Sequence, residues 1–132
     1  SIVASIDIKK NWLGKYHAYV LNGTLNTKMD PVTFARNLQS AGAGEIFLNV
    51  IDRDGTYGGY ELDMIQKLSQ AVDVPVIACG GAAELGDFPK AVKAGASAVA
   101  AGSMFVFQRA HRAVLINYPS QTDLIDKLYT RI

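Results

Sequence analysis

The sequence predicts an α/β fold built on a parallel sheet, and three observations carry that expectation. Short apolar segments rich in β-branched residues recur, amphipathic stretches of helical spacing separate them, and the turns have the chemistry of helix starts and stops. The first segment, Ile2 to Ile8, lacks the strict alternation of a half-exposed strand and reads as a strand buried on both faces. Glu45 to Ile51, Val74 to Cys79 and Ser97 to Ala101 repeat that character. Between them, Pro31 to Ala41 carries Phe34, Leu38 and Ala41 at helical spacing, Leu62 to Val72 carries Ile65 and Leu68, and Leu85 to Ala94 carries Phe88 and Val92. Asp30-Pro31 opens the first helix with an acidic cap and a proline at its first position, while Ala41-Gly42-Ala43-Gly44 and Ala94-Gly95-Ala96 end helices with glycine before the next strand. Ser120 is placed to cap a last helix, Gln121 to Tyr129.

Strand and helix alternating in this way, with right-handed crossovers, form a parallel sheet covered by helices, either doubly wound or closed as a barrel. Only four β/α units fit into 132 residues, whereas a closed barrel uses eight and about 250 residues. An open four-strand half leaves two unpaired edges and an exposed inner face. The whole chain, 1–132, is therefore read as a single half-barrel domain that pairs with its missing half or with a copy of itself. It opens at Ser1 directly into a strand pattern, without an initiator methionine, which points to a fragment or a processed chain.

Composition excludes several function classes. A chain that is 49% hydrophobic and 19% charged is expected to be globular. Its longest apolar run, Ala94 to Phe107, is broken by glycine and serine and falls short of the roughly 20 apolar residues of a membrane span. Nothing at the start reads as a signal peptide. Thirteen basic and twelve acidic residues leave a formal charge of +1, so no broad footprint for nucleic acid or an anionic membrane exists and any anion site must be local. The single cysteine, Cys79, cannot form an internal disulfide and suits a reduced, cytoplasmic compartment.

The most informative segment follows the second strand: Ile51-Asp52-Arg53-Asp54-Gly55-Thr56-Tyr57-Gly58-Gly59-Tyr60. In a parallel barrel this is the C-terminal rim, where active sites sit. Glycines there let backbone amides approach a phosphate, and Thr56 offers a hydroxyl donor; an ordinary polar loop is the competing reading. The third strand ends in Cys79-Gly80-Gly81-Ala82-Ala83 and the fourth in Ala101-Gly102-Ser103. These resemble the phosphate cradle that barrels build after their last two strands, although such glycines also serve simply for tight turns. Asp7, near the C-terminal end of the first strand, is either a general acid or base, a role that partial burial of a carboxylate favours, or a structural partner of Lys9 or Lys10. Glu45 begins the second strand at the opposite rim, where a charge ordinarily serves stability. His17 and His111 have no second histidine or cysteine at ligand spacing and read as surface or structural residues. No metal and no cofactor are expected.

Ser5-Ile6-Asp7, Asn22-Gly23-Thr24 with Asn26-Thr27, Gly42-Ala43-Gly44-Glu45-Ile46, the Ile51 to Thr56 run and Gly80-Gly81-Ala82 occur in one order. In that order they resemble the C-terminal half of the HisF family, the cyclase subunits of imidazole glycerol phosphate synthase, over the chain up to about Phe107. The resemblance implies the C-terminal half, (βα)4, of a (β/α)8 barrel, strands five to eight. It implies that Asp7 is the second of two catalytic aspartates, the first lying in the absent half, so that this chain alone does not turn over substrate. It further implies that Asp54, Gly55, Thr56, Gly80, Gly81, Gly102 and Ser103 surround one phosphate of a phosphorylated substrate, that Asn22 and Thr27 lie on a flexible loop over the site, and that Glu45 is a charged gate through which ammonia enters from a glutaminase partner.

Two departures bear on the substrate. Serine is usual in the histidine-pathway members where Cys79 stands, and the tail Arg112 to Pro119 is more similar to the HisF-like WbuZ proteins of surface-polysaccharide clusters, which are associated with amidation or amidine formation on a nucleotide-linked sugar. Three readings compete with the cyclase: that sugar-amidating subunit, a half-barrel scaffold that only self-associates, and the related two-aspartate isomerase of the histidine pathway, against which the Ile51 to Thr56 run speaks.

Overall fold

A computed structural model describes residues 1–108, 113–114 and 116–132; His111, and with it Arg112 and Leu115 of the tail, lies outside the described residues. In chain order the elements are β1 (Val3–Lys10), β2 (Tyr16–Val20), β3 (Leu25–Asn26), α1 (Pro31–Ser40), β4 (Glu45–Val50), α2 (Leu62–Ala71), β5 (Val76–Cys79), α3 (Asp87–Lys93), β6 (Ala98–Val99), α4 (Ser103–Val106), β7 (Phe107–Gln108), β8 (Ala113–Val114) and α5 (Gln121–Leu124), which runs into a π-helical turn, Ile125–Tyr129. One sheet has the order β3-β2-β1-β4-β5-β6, and β7 and β8 form a separate two-stranded ribbon. The strands β1, β4, β5 and β6 are parallel neighbours, as the strand-helix alternation predicts.

The caps act as their sequence suggests. Asp30 accepts a hydrogen bond from Thr33 N at 3.1 Å with Pro31 at the first helical position, and Ser120 accepts one from Asp123 N at 3.1 Å. Gly95, at φ +113°, ends α3 where any side chain would strike Ser69.

Two expectations are corrected. The first is simple alternation: an antiparallel hairpin, β2 with β3, is inserted between β1 and α1. It forms because β1 continues past Ile8 to Lys10, whose amide donates to the Asp52 carboxylate at 2.6 Å, and because Asn11 Oδ1 accepts from both Leu13 N and Lys15 N to close the return turn. The second is burial of the strands on both faces. On β4, Ile46, Leu48 and Val50 are fully buried while Glu45, Phe47 and Asn49 are only half-buried. The sealed face packs with Ile6 and Ile8 of β1, Val76 and Ala78 of β5, and Ala35, Ile65, Leu68 and Ala91 of the helices. Each large side chain so buried contributes about 1.5 to 3 kcal/mol.

The opposite, inner face of the open sheet is only partly covered. Among the described residues both lateral edges are open as well. On β1 the hairpin pairs only with Asp7 to Lys10, so Val3 to Ile6 have no strand neighbour on that side among the described residues, and β6 pairs only with β5.

Candidate functional site

Parallel register lines up side chains that share a face. Asp7 stands opposite Tyr19 on one side and Asn49 on the other, and Asn49 stands opposite Cys79. The row Tyr19, Asp7, Asn49, Cys79 thus crosses the inner face near the C-terminal ends of the strands. Asp7 is half-buried there and accepts a hydrogen bond from Asn49 Nδ2 at 2.9 Å. The lysines expected as its structural partners are engaged elsewhere: Lys9 Nζ lies 5.9 Å from the Tyr19 ring centroid and Lys10 Nζ 5.1 Å from that of Tyr16. A carboxylate oriented by a neutral amide on an open face keeps an oxygen for a reacting group.

Three loops meet beside this row. Gly59 N donates to Gly81 O at 2.8 Å, joining the loop after β4 to the loop after β5. The backbones touch so closely that a Cβ on Gly81, at φ +98°, would fall 2.2 Å from Gly59 O, and one on Gly80 2.6 Å from Val50 O. The third loop arrives through Ser103, whose Oγ lies 3.8 Å from where a Gly55 Cβ would stand and whose carbonyl accepts from the Tyr57 hydroxyl at 3.3 Å. The loop after β4, which holds Asp54, therefore touches both others, through Gly59 at Gly81 and through Gly55 and Tyr57 at Ser103, while Gly80 packs against Val50 and Gly102 precedes Ser103 with open space where a side chain would be. Asp54 also acts on the inner row: burial pushes the Cys79 thiol up, and the nearby Asp54 carboxylate pushes it further. Such a thiol stays protonated and unreactive near neutral pH.

Thr56 is corrected. Its hydroxyl donates to Arg53 O at 2.7 Å and accepts from Gly58 N at 3.3 Å, so it shapes the loop and its proton is spent inside it. Asn22 lies in the turn between β2 and β3, and Thr27 directly follows β3. Asn22 sits at the hairpin's tip in the left-handed region at φ +56°, and Thr27 Oγ1 donates to Ala18 O at 2.7 Å and accepts from Met29 N at 3.1 Å. The tip still lies over the rim, because Gly23 packs against the Ile51 side chain. Glu45 is at the other end of the sheet, opposite Val3, four residues and roughly 13 Å down β4 from Asn49. Glu45, Phe47 and Asn49 share the inner face from one mouth to the other. His17 contacts Asn26 through Nδ1 at 3.1 to 3.2 Å. Among the described residues no group of three histidine, cysteine or acidic side chains could hold a metal ion, and no helix is long and apolar enough to cross a membrane.

Sequence reasoning missed Asn49, although it carries the same signal as Asp7, a polar residue inside an apolar strand close to its C-terminal end. It also missed Asp87, which is 6% exposed. Burial pushes that carboxyl up, but the Lys90 ammonium at 2.9 Å and the amides of Ala83 and Glu84 outweigh burial and hold it below the usual carboxylate range. Asp87 thereby fixes the loop after β5. A further omission is Arg53, whose guanidinium binds Glu61 Oε2 through Nε at 3.0 Å and Nη2 at 2.8 Å.

Comparison with known proteins adds an independent line. The model of a family described as histidine biosynthesis protein matches residues 1–111. A relative from Pseudomonas aeruginosa, provisionally named imidazole glycerol phosphate synthase subunit hisF2, is 46% identical over 125 residues, covering 94% of this chain and 50% of the relative. A Vibrio vulnificus relative, provisionally named subunit hisF3, is 44% identical over 128 residues, covering 93% and 48%. The imidazole glycerol phosphate synthase subunit HisF of Pyrobaculum aerophilum is 45% identical over 109 residues, covering 82% and 42%. The chain spans about half the length of the curated relatives it matches.

Proposed function

Since the chain belongs to the histidine biosynthesis protein family, we propose that it forms the C-terminal half of an ammonia-using cyclase subunit of the imidazole glycerol phosphate synthase type. The observation that carries this reading is the meeting of the Asp54-Gly55, Gly80-Gly81 and Gly102-Ser103 loops at the same rim as Asp7. Backbone amides and a serine hydroxyl hold one phosphate of the substrate there, and Asp7, oriented by Asn49, moves the proton during ring closure and bond cleavage. The other catalytic carboxylate comes from the N-terminal half, which pairs along the open edges of β1 and β6, so this half alone is inactive.

Ammonia enters from a glutaminase partner at the mouth near Glu45. It travels along the inner face past Phe47 to Asn49, where water is excluded once the barrel closes. No metal or cofactor takes part in this chemistry.

The test is ammonia-dependent turnover of the phosphoribulosyl aminoimidazole-carboxamide substrate by this chain reassembled with its N-terminal half. Turnover is expected, and Asp7→Asn should lower it by about 10² to 10⁴ while inorganic phosphate still binds. Unchanged turnover in that variant removes Asp7 from the chemistry. Phosphate binding without turnover in the parent favours the second reading, amidation of a nucleotide-linked sugar, to which Cys79 in the catalytic row lends support.

A further inference from the structure

We propose that Glu61 is a positioning residue that holds the hairpin, the loop after β4 and the loop after β5 in one mutual arrangement. A single oxygen, Glu61 Oε2, accepts from Tyr16 OH at 2.9 Å, Arg53 Nε at 3.0 Å and Arg53 Nη2 at 2.8 Å. Tyr16 is the first residue of β2, so this bond ties down the hairpin over Asp7. Arg53 spends its remaining arm on the carbonyls of Gly58 at 3.1 Å and Gly59 at 3.4 Å. The Gly59 amide in turn reaches Gly81 O at 2.8 Å, which carries the constraint into the loop after β5.

The placement of Glu61 supports this role. It occupies the N-cap position of α2, yet its side chain makes no capping bond, so the carboxylate is committed to the brace and not to the helix. Its side chain is 14% exposed and that of Arg53 32%, so the pair is largely shielded from water. Burial, with Glu61 beside it, pushes the Tyr16 hydroxyl up to about 12, which keeps it a donor across the neutral range. Arg53, the one cation of the Asp52 to Thr56 run, is thus already paired.

Hydrogen exchange of the chain, resolved by segment, tests the brace directly. Tyr16→Phe should speed exchange in the hairpin alone. Glu61→Gln should speed it about tenfold, the loss of one charge-assisted bond, in the hairpin, in 53–60 and in 80–86, while β4 and β5 keep their protection. Unchanged exchange in 80–86 in Glu61→Gln overturns the proposal. If that variant does not fold, Arg53→Lys, which keeps the charge and loses the fork, carries the same expectation for 53–60 and 80–86.

A second arm rests on the phosphate site proposed above. In the reassembled barrel, Glu61→Gln should weaken inorganic phosphate about tenfold. Tighter binding would show instead that Glu61 masks Arg53 as a ligand and would overturn the positioning role. If the parent binds no phosphate, the phosphate site fails, and the exchange arm still decides the brace.

Discussion

The two faces of the same strands differ in what they do. On β4, Ile46, Leu48 and Val50 are sealed under the helices, and the residues between them, Glu45, Phe47 and Asn49, face the open inner side. Asp7, Asn49 and Cys79 share that inner face in one row. The apolar core is thereby concentrated on one side and the polar row on the other, an arrangement that lets polar groups sit on a strand without disrupting its core. The lesson is that a strand which looks uniformly apolar in sequence can still have one face that the helices leave uncovered.

The largest expected effect tests the sealed side. Leu48→Ala should cost about 3 to 5 kcal/mol in urea unfolding, whereas Phe47→Ala on the inner face should cost well under half as much in the isolated chain. Equal costs would break the comparison and mean that the inner face is covered in solution, as self-association would do; a sizing column then tests the dimer. Next comes the rim. Gly81→Ala should cost roughly 2 to 4 kcal/mol, because a left-handed backbone is strained by a side chain and the added methyl collides with Gly59 O.

A smaller effect concerns Asp87 and depends on pH. Its folded value is below the usual one, so its contribution is fully present above the unfolded carboxylate value of about 3.9 and fades as pH falls through the folded value. Asp87→Ala should therefore cost about 1 to 3 kcal/mol at neutral pH and progressively less below about pH 4, read from urea midpoints at several pH values. A gap that persists undiminished in strong acid would refute the assignment. The smallest effect sharpens the inner row. Cys79 should react slowly with iodoacetamide near neutral pH, and Asp54→Asn should speed the reaction, since removing the negative charge eases formation of the thiolate. No change would separate Asp54 from the thiol.

Much of this was legible without a structure, for stated physical reasons. Helical spacing marked α1, α2 and α3, the Asp30-Pro31 pair marked the start of α1, the glycines after α1 and α3 marked their ends, and glycines after three strands marked the rim loops. The hairpin was missed, although Asn22-Gly23 at its tip, both at positive φ, is a local hairpin signal; what the sequence does not record is that β2 pairs with the end of β1. The local bonding of Thr56 was not legible either: a hydroxyl in a glycine-rich loop suits a ligand or its own turn, and its bond to Arg53 O is visible only in the structure.

The sequence by itself determined the α/β class, the order of the parallel strands' partners along the chain, and the grouping of glycines and carboxylates at strand ends. These depend on periodicity and on backbone preference, which act over a few residues. Tertiary structure alone decided which face of each strand is wet, that Asn49 rather than a lysine holds Asp7, and that Tyr16, Arg53 and Glu61 meet at one oxygen. Asp7 and Asn49 are 42 residues apart and Tyr16 and Glu61 are 45, and contacts at such separations are set by the register between strands and by the packing of loops, which no local pattern of residues records.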